Sequence, residues 1–189
     1  QSGIGFNTKA KTLEVLSFNA KSFRVLPLVK FTWREWKNNS NSIIIKIQKS
    51  FKTCSVIIRS SASNEDTLHL SNAGKYVSFG NIPINNISEI SKAIENVFFS
   101  YINVKPIDQI FVQEHLSDIR LSGVAFTADV DTLSPYYIIN YDESGDSSVV
   151  TSGSKGNLKT YIHFKHSSVK PPLSFLRKLL ASLKEIEEI

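Results

Sequence analysis

Two cations, far apart in the chain, have surroundings suited to a polyphosphate. The stretch from Val56 to Ser78 reads VIIRSSASNEDTLHLSNAGKYVS, and its apolar run Val56-Ile57-Ile58 ends in Arg59-Ser60-Ser61. A buried strand ending this way delivers a guanidinium and two small hydroxyls to a sheet edge, beside backbone N–H groups. Phosphate oxygens are met there by paired, charge-assisted hydrogen bonds. Upstream, Lys9 falls in the first turn of a short amphipathic helix that Asn7 or Thr8 can cap, with Leu13 and Leu16 on one side. The N-terminus of a helix offers unpaired N–H groups and the positive end of the peptide dipoles, so a lysine beside it makes an anion site on general grounds. Gly74 and Ser78 are small residues that let phosphate or ribose approach. Gln113, in the alternating run QIFVQEHL, carries an amide able to donate to and accept from a nucleobase or a phosphate. Each has a plainer reading beside it: Arg59 and Lys9 as solvated charges, Gly74 and Ser78 as loop residues, Gln113 bonded to backbone. At the level of pattern both readings stand.

RSSASNED followed by AGKYVS resembles the RSSA-x-x-ED…AGQ-x-x-S/T signature of the nucleotide-binding domain of phosphoenolpyruvate synthase and pyruvate phosphate dikinase, of the ATP-grasp class. Lys9 stands in a segment similar to the family's GGK-A-x-x-L opening, with Asn7-Thr8 in place of Gly-Gly. Phe111-Val112-Gln113 looks like the VQ segment, Ser122-Gly123-Val124-Ala125-Phe126-Thr127 like SGV-x-FT, and Val149-Val150-Thr151-Ser152-Gly153 like V-V-x-G. Lys75 replaces a glutamine after Gly74, and Tyr141-Asp142-Glu143-Ser144-Gly145 stands where the family has GLGE.

The resemblance implies nucleotide contacts at Lys9, Arg59, Gly74, Ser78 and Gln113, with ATP and Mg2+ as cofactors. It makes residues 1–189 an N-terminal ATP-grasp lobe, expected to be inactive alone. The magnesium ligands and a catalytic arginine are expected beyond Ile189. The implied partners are a second ATP-grasp lobe and a phosphohistidine domain, and the implied chemistry is phosphorylation of a carrier histidine and then of pyruvate or another small acceptor. The departures at Asn7-Thr8 and at the lost GLGE motif keep open a different class, a non-catalytic module that retains the fold and holds a polyanion or a protein partner.

The bulk composition narrows the classes further. The 189 residues are 41% hydrophobic and 21% charged, the profile of a globular chain with a core of its own. No apolar run approaches the ~20 residues that span a bilayer. A single cysteine, Cys54, excludes an internal disulfide framework and fits the cytoplasm; its place before a buried strand predicts packing. The net charge of +5 favours anionic partners, but the basic residues are spread along the chain, against a nucleic-acid arm. The chain has no methionine and starts at Gln1, which reads as a piece of a longer protein. The four histidines show no zinc spacing, and neither a P-loop nor G-x-S-x-G occurs.

The expected fold class is α+β, an ATP-grasp-like lobe with a mainly antiparallel sheet and helices packed on it. Thr32-Trp33-Arg34-Glu35 is a capping box with Phe31 and Trp36 as its staple, followed by a polar loop at Asn38–Asn41. Ile43–Phe51 fits strand by propensity and helix by spacing; the resemblance favours helix. Asn86–Asn103 predicts a helix with Ile87, Ile90, Ile94, Val97, Phe98 and Tyr101 on one face. Residues 109–128 predict two strands in a hairpin. Strands are expected at Tyr136–Tyr141, Ser148–Thr151 and Leu158–Phe164, and turns at Asp129–Thr132, Asp142–Ser147 and Ser152–Asn157. The two aspartates of the first turn are assigned no metal. From Ser174 an amphipathic helix presents an apolar face expected to dock a lobe outside this chain.

Overall fold

The computed structural model describes residues 8–62, 66–67, 70–71, 77–101, 103–145 and 158–189. The fold is α+β, and among the described residues all strand pairs are antiparallel. The chain divides into two compact units, residues 1–19 with 25–115 and residues 20–24 with 116–189.

The first unit contains α1 (Lys9–Asn19), β1 (Leu28–Thr32), α2 (Trp33–Ser50), β2 (Ser55–Ser61), β3 (Asp66–Thr67), β4 (Leu70–Ser71), β5 (Phe79–Pro83), α3 (Ile87–Phe99) and β6 (Gln109–Glu114). Four of the strands form a sheet in the order β1-β6-β2-β5, while β3 and β4 pair with each other. Alternation along the strands decides which face is core. Val29 and Phe31, Val56 and Ile58, Ile82, and Ile110 and Val112 are buried in one cluster with Trp36, Ile44 and Ile47 of α2 and Ile90, Ile94, Val97 and Phe98 of α3.

Local chemistry sets the helix starts. Thr32 caps α2: its hydroxyl accepts from the Glu35 N–H, and the Glu35 carboxylate accepts from the Thr32 N–H at 2.7 Å. The rings of Phe31 and Trp36 lie 5.9 Å apart across this cap. The expected loop at Asn38–Asn41 is corrected to a break within α2. Only Asn39 leaves helical geometry, and its Oδ1 accepts from the Ser42 N–H at 3.3 Å, restarting the helix. Ile43–Phe51 is helical up to Ser50. Asn86 caps α3, its Oδ1 accepting from the Glu89 N–H at 3.1 Å. The helix ends at Phe99 rather than Asn103, which takes a positive φ of 56°, and Ile87 is exposed.

Two further expectations change. Strands β6 and β7 form no hairpin, because β6 already has neighbours on both sides, β1 and β2, and β7 (Ser122–Phe126) belongs to a different sheet. Cys54 is exposed rather than packed, since the buried part of β2 begins at Val56.

One side chain closes the end of the β2–β6 ladder. The buried Tyr101, just after α3, accepts from the Ser61 N–H at 2.9 Å and donates to the Gln109 carbonyl at 2.6 Å. Ser61 and Gln109 face each other in the register, so the hydroxyl bridges two strand ends. Tyr101→Phe strands both backbone groups and is expected to cost about 1–3 kcal/mol in urea unfolding, each orphaned group losing its water without a replacement.

The second unit contains β7, β8 (Tyr136–Asp142), β9 (Lys159–Phe164) and α4 (Ser174–Glu188), the strands forming a sheet in the order β7-β8-β9. Tyr137, Ile139 and Tyr141 share a core with Leu176, Leu180 and Leu183. The apolar face of α4 is therefore taken by the sheet of its own unit, correcting the expectation of an outside lobe. Gly123 is required by packing: a Cβ there would lie 2.6 Å from the Asn140 carbonyl oxygen. The expected strand Ser148–Thr151 and turn Ser152–Asn157 lie outside the described residues.

Residues 20–24 join this unit through the Ser182 hydroxyl, 3.2 Å from that of Ser22, and through the Glu185 carboxylate. Glu185 accepts from the Ser22 N–H at 2.8 Å, from the Ser22 hydroxyl and from the Lys21 N–H. The Ser22 hydroxyl and N–H hold the Glu185 carboxyl below the ordinary value of 4.5. Because the folded value is the depressed one, this stabilisation is complete above the unfolded value and disappears as pH falls through the folded one. Amide exchange at Lys21 and Ser22 is expected to accelerate, relative to its intrinsic rate, as pH drops below 4.5. Glu185→Gln is expected to exchange faster at neutral pH and to lack that acid step.

Candidate functional site

The face of the four-stranded sheet opposite the core collects the cations. On β6, Ile110 and Val112 point into the core, so Gln109, Phe111 and Gln113 occupy the other face. Directly opposed residues of antiparallel strands share a face. Lys30 and Arg59 both stand opposite Phe111, and Ile57 and Ser61 stand opposite Gln113 and Gln109. Lys30, Phe111 and Arg59 thus form one row across three strands, with Lys30 and Arg59 roughly 10 Å apart at the backbone, two strand spacings.

Helix α1 docks on this same face. Ala10 is fully buried and its N–H donates to the Ser61 hydroxyl at 3.0 Å. The Thr8 hydroxyl donates to the Gln109 side-chain oxygen at 3.2 Å and accepts from the Lys11 N–H at 3.4 Å, capping the first turn. Glu14, one turn beyond Ala10, ion-pairs with Lys30. Three strands each contribute one anchor: Ser61 of β2, Gln109 of β6 and Lys30 of β1.

The expected site residues fall as follows. Lys9 is the first residue of α1, between the two anchors Thr8 and Ala10. Arg59 is exposed, with its guanidinium carbon 5.8 Å from the centre of the Phe111 ring. An aromatic face beneath a guanidinium attracts it through the ring quadrupole and restricts its plane, leaving the N–H edge to a ligand. Gln113 is buried, and its Nε2 donates to the Leu26 carbonyl at 2.9 Å, which fixes the chain just before Pro27. Ser78 is exposed in the segment leading into β5. Gly74 lies outside the described residues, as does Lys75. The start of α1, Arg59 and Gln113 are brought to one face of one unit.

The serines after Arg59 serve the interior rather than a ligand. Ser60 and Ser61 are both buried, and Ser61 spends its hydroxyl on Ala10 and its N–H on Tyr101. Lys30 and Phe111 are participants the residue types did not single out. The signal was present in Leu28-Val29-Lys30-Phe31, where a cation interrupts an alternating apolar run, and in Phe111, one step out of phase with the core residues Ile110 and Val112.

In the second unit, the stretch standing in place of GLGE is the end of β8 followed by a bend. Asp142 is buried, and its Oδ1 accepts from the Ser144 N–H at 2.8 Å. Gly145 has φ 85°, where a Cβ would meet the Ile119 carbonyl at 2.8 Å. The Asp129 carboxylate folds its own turn, accepting from the Thr132 N–H and hydroxyl, each at 2.8 Å. Among the described residues no group of three or more His, Cys, Asp or Glu is arranged to hold a metal ion, and no helix is long and apolar enough to cross a membrane. No protein-family model matches the chain, and no curated protein matches it.

Ser61→Ala leaves the buried Ala10 N–H without an acceptor. It is expected to cost about 1–3 kcal/mol and to raise exchange at the α1 amides selectively over those of α3, as hydrogen-exchange mass spectrometry would register.

Proposed function

We propose that the chain is the ATP-binding lobe of a dikinase-like phosphotransferase, similar to phosphoenolpyruvate synthase, with an ATP-grasp-like fold and a cytoplasmic setting. The observation that carries this reading is the shared face: Lys9 at a helix start, Arg59 on its aromatic platform and Gln113 belong to one side of one sheet. Phosphoryl transfer asks mainly for cations on the phosphates and for placement. Lys9 offers a point charge at the positive end of the α1 dipole, and Arg59 offers a planar fork. Gln113 acts by holding the backbone at Leu26, just before β1. Magnesium bound with ATP would offset the phosphate charge, and its ligands would come from outside this lobe. The further domains, a second lobe and a phosphohistidine domain, and the acceptor, pyruvate or another small molecule, belong to the same proposal.

A second reading, a polyanion-holding module without catalysis, is favoured by the Gln113 amide, one of whose two N–H donors is already committed to backbone. Calorimetric titration of MgATP into the chain separates them. Weak binding is expected, lowered roughly 10- to 100-fold by Arg59→Ala, the loss of charge-assisted bonds, with no ATP turnover by this lobe alone. Tripolyphosphate binding as tightly as ATP supports the second reading. Absence of MgATP binding, or binding indifferent to Arg59→Ala, overturns the first.

A further inference from the structure

Helix α1 buries little apolar surface completely: Leu13, Val15 and Leu16 are only half-buried. Ala10 is its one fully buried residue, whereas α3 buries five. A helix of eleven residues is marginal in water without packing. Polar anchors therefore share with this partial packing the work of holding it on the sheet. Two of them, Thr8 to Gln109 and Ala10 to Ser61, crowd into the first turn. The third lies farther along. Glu14 is four residues past Ala10, on the same side of the helix and about 6 Å along its axis. It reaches β1, on the far side of β6 from Ser61, where it meets Lys30. Both side chains of the pair are about three-tenths exposed, at 30% and 28%.

We propose that Glu14 and Lys30 form a latch that holds α1 across the sheet and so keeps Lys9 in position, making them positioning residues for the anion site. The proposal rests on the ATP-binding reading for its ligand and on the anchors alone for the latch. Lys30 shares a face with Arg59, so the geometry raises a rival role, in which Lys30 is itself a phosphate ligand partly neutralised by Glu14. The two roles predict opposite signs. Removing Glu14 unlatches α1 and weakens anion binding in the first; it liberates a cation and strengthens binding in the second.

The test uses the full chain with Glu14→Gln, Lys30→Met, the double variant, and the charge swap Glu14→Lys with Lys30→Glu. Exchange of the α1 amides is followed without ligand, and MgATP affinity by calorimetry. When only the docked fraction binds, apparent affinity falls with that fraction, so each single variant is expected to exchange faster throughout α1 and to bind MgATP roughly two- to fivefold more weakly. The double variant is expected to be no worse than either single one, and the charge swap is expected to restore α1 protection. Tighter MgATP binding by Glu14→Gln, or α1 exchange unchanged in both single variants, overturns the latch. If the unaltered chain binds no MgATP, the nucleotide reading fails by itself, and the exchange rates decide the latch without it.

Discussion

The cation-bearing face depends on how one buried serine distributes its polar atoms. Ser61 is wholly inaccessible, and a hydroxyl or an N–H removed from water must find a partner inside. Its N–H finds the Tyr101 hydroxyl, anchored in the aromatic cluster with Phe98, whose ring centre lies 5.8 Å from that of Tyr101. Its hydroxyl finds the Ala10 N–H. A continuous polar line thus runs from the core, past the end of the β2–β6 ladder, to the first turn of α1. Apolar packing is thin at that turn, where Ala10 alone is fully buried. Lys9 and Arg59, fifty residues apart in sequence, are related in space by this line.

Those parts of the fold written in short-range chemistry were legible. The Thr32–Glu35 box, the Phe31–Trp36 staple and the Asn86 cap are contacts within one helical turn, where residue type and spacing determine the partner. The stripe of Leu176, Leu180 and Leu183 was readable for the same reason, though its docking partner was not. Strand partnership was the weak point. Alternation in QIFVQE identifies a strand and its two faces, but its neighbours β1 and β2 lie far upstream, and nothing local distinguishes them from the next strand along. Propensity misled at Asn38–Asn41. Residues that favour caps and turns did interrupt the helix, yet Asn39 used its side chain to restart it at once.

The candidate site was half readable. Residues of types suited to phosphate can be picked out of the sequence, and three of them share a face. Their division of labour was not readable, because it is decided by burial. Ser61 resembles a ligand-facing hydroxyl in sequence and is an internal acceptor in the fold. Gln113 resembles a base-reading amide and carries the carbonyl of Leu26. Lys30 was passed over because a lone lysine in a strand gives no hint of a carboxylate sixteen residues earlier on a helix.

The path of the chain through its two units has a consequence for how they are inherited. The polypeptide leaves the first unit after Asn19, spends residues 20–24 in the second, returns at Val25, and departs for the last time after His115. The units are thus sewn together at three seams. Modules joined by a single thread can be parted or exchanged by one recombination event. Here a break after His115 would leave the segment bearing Ser22 with the wrong half and deprive Glu185 of its donors. The pair is expected to travel through evolution as one indivisible gene segment, whatever else becomes fused at either side.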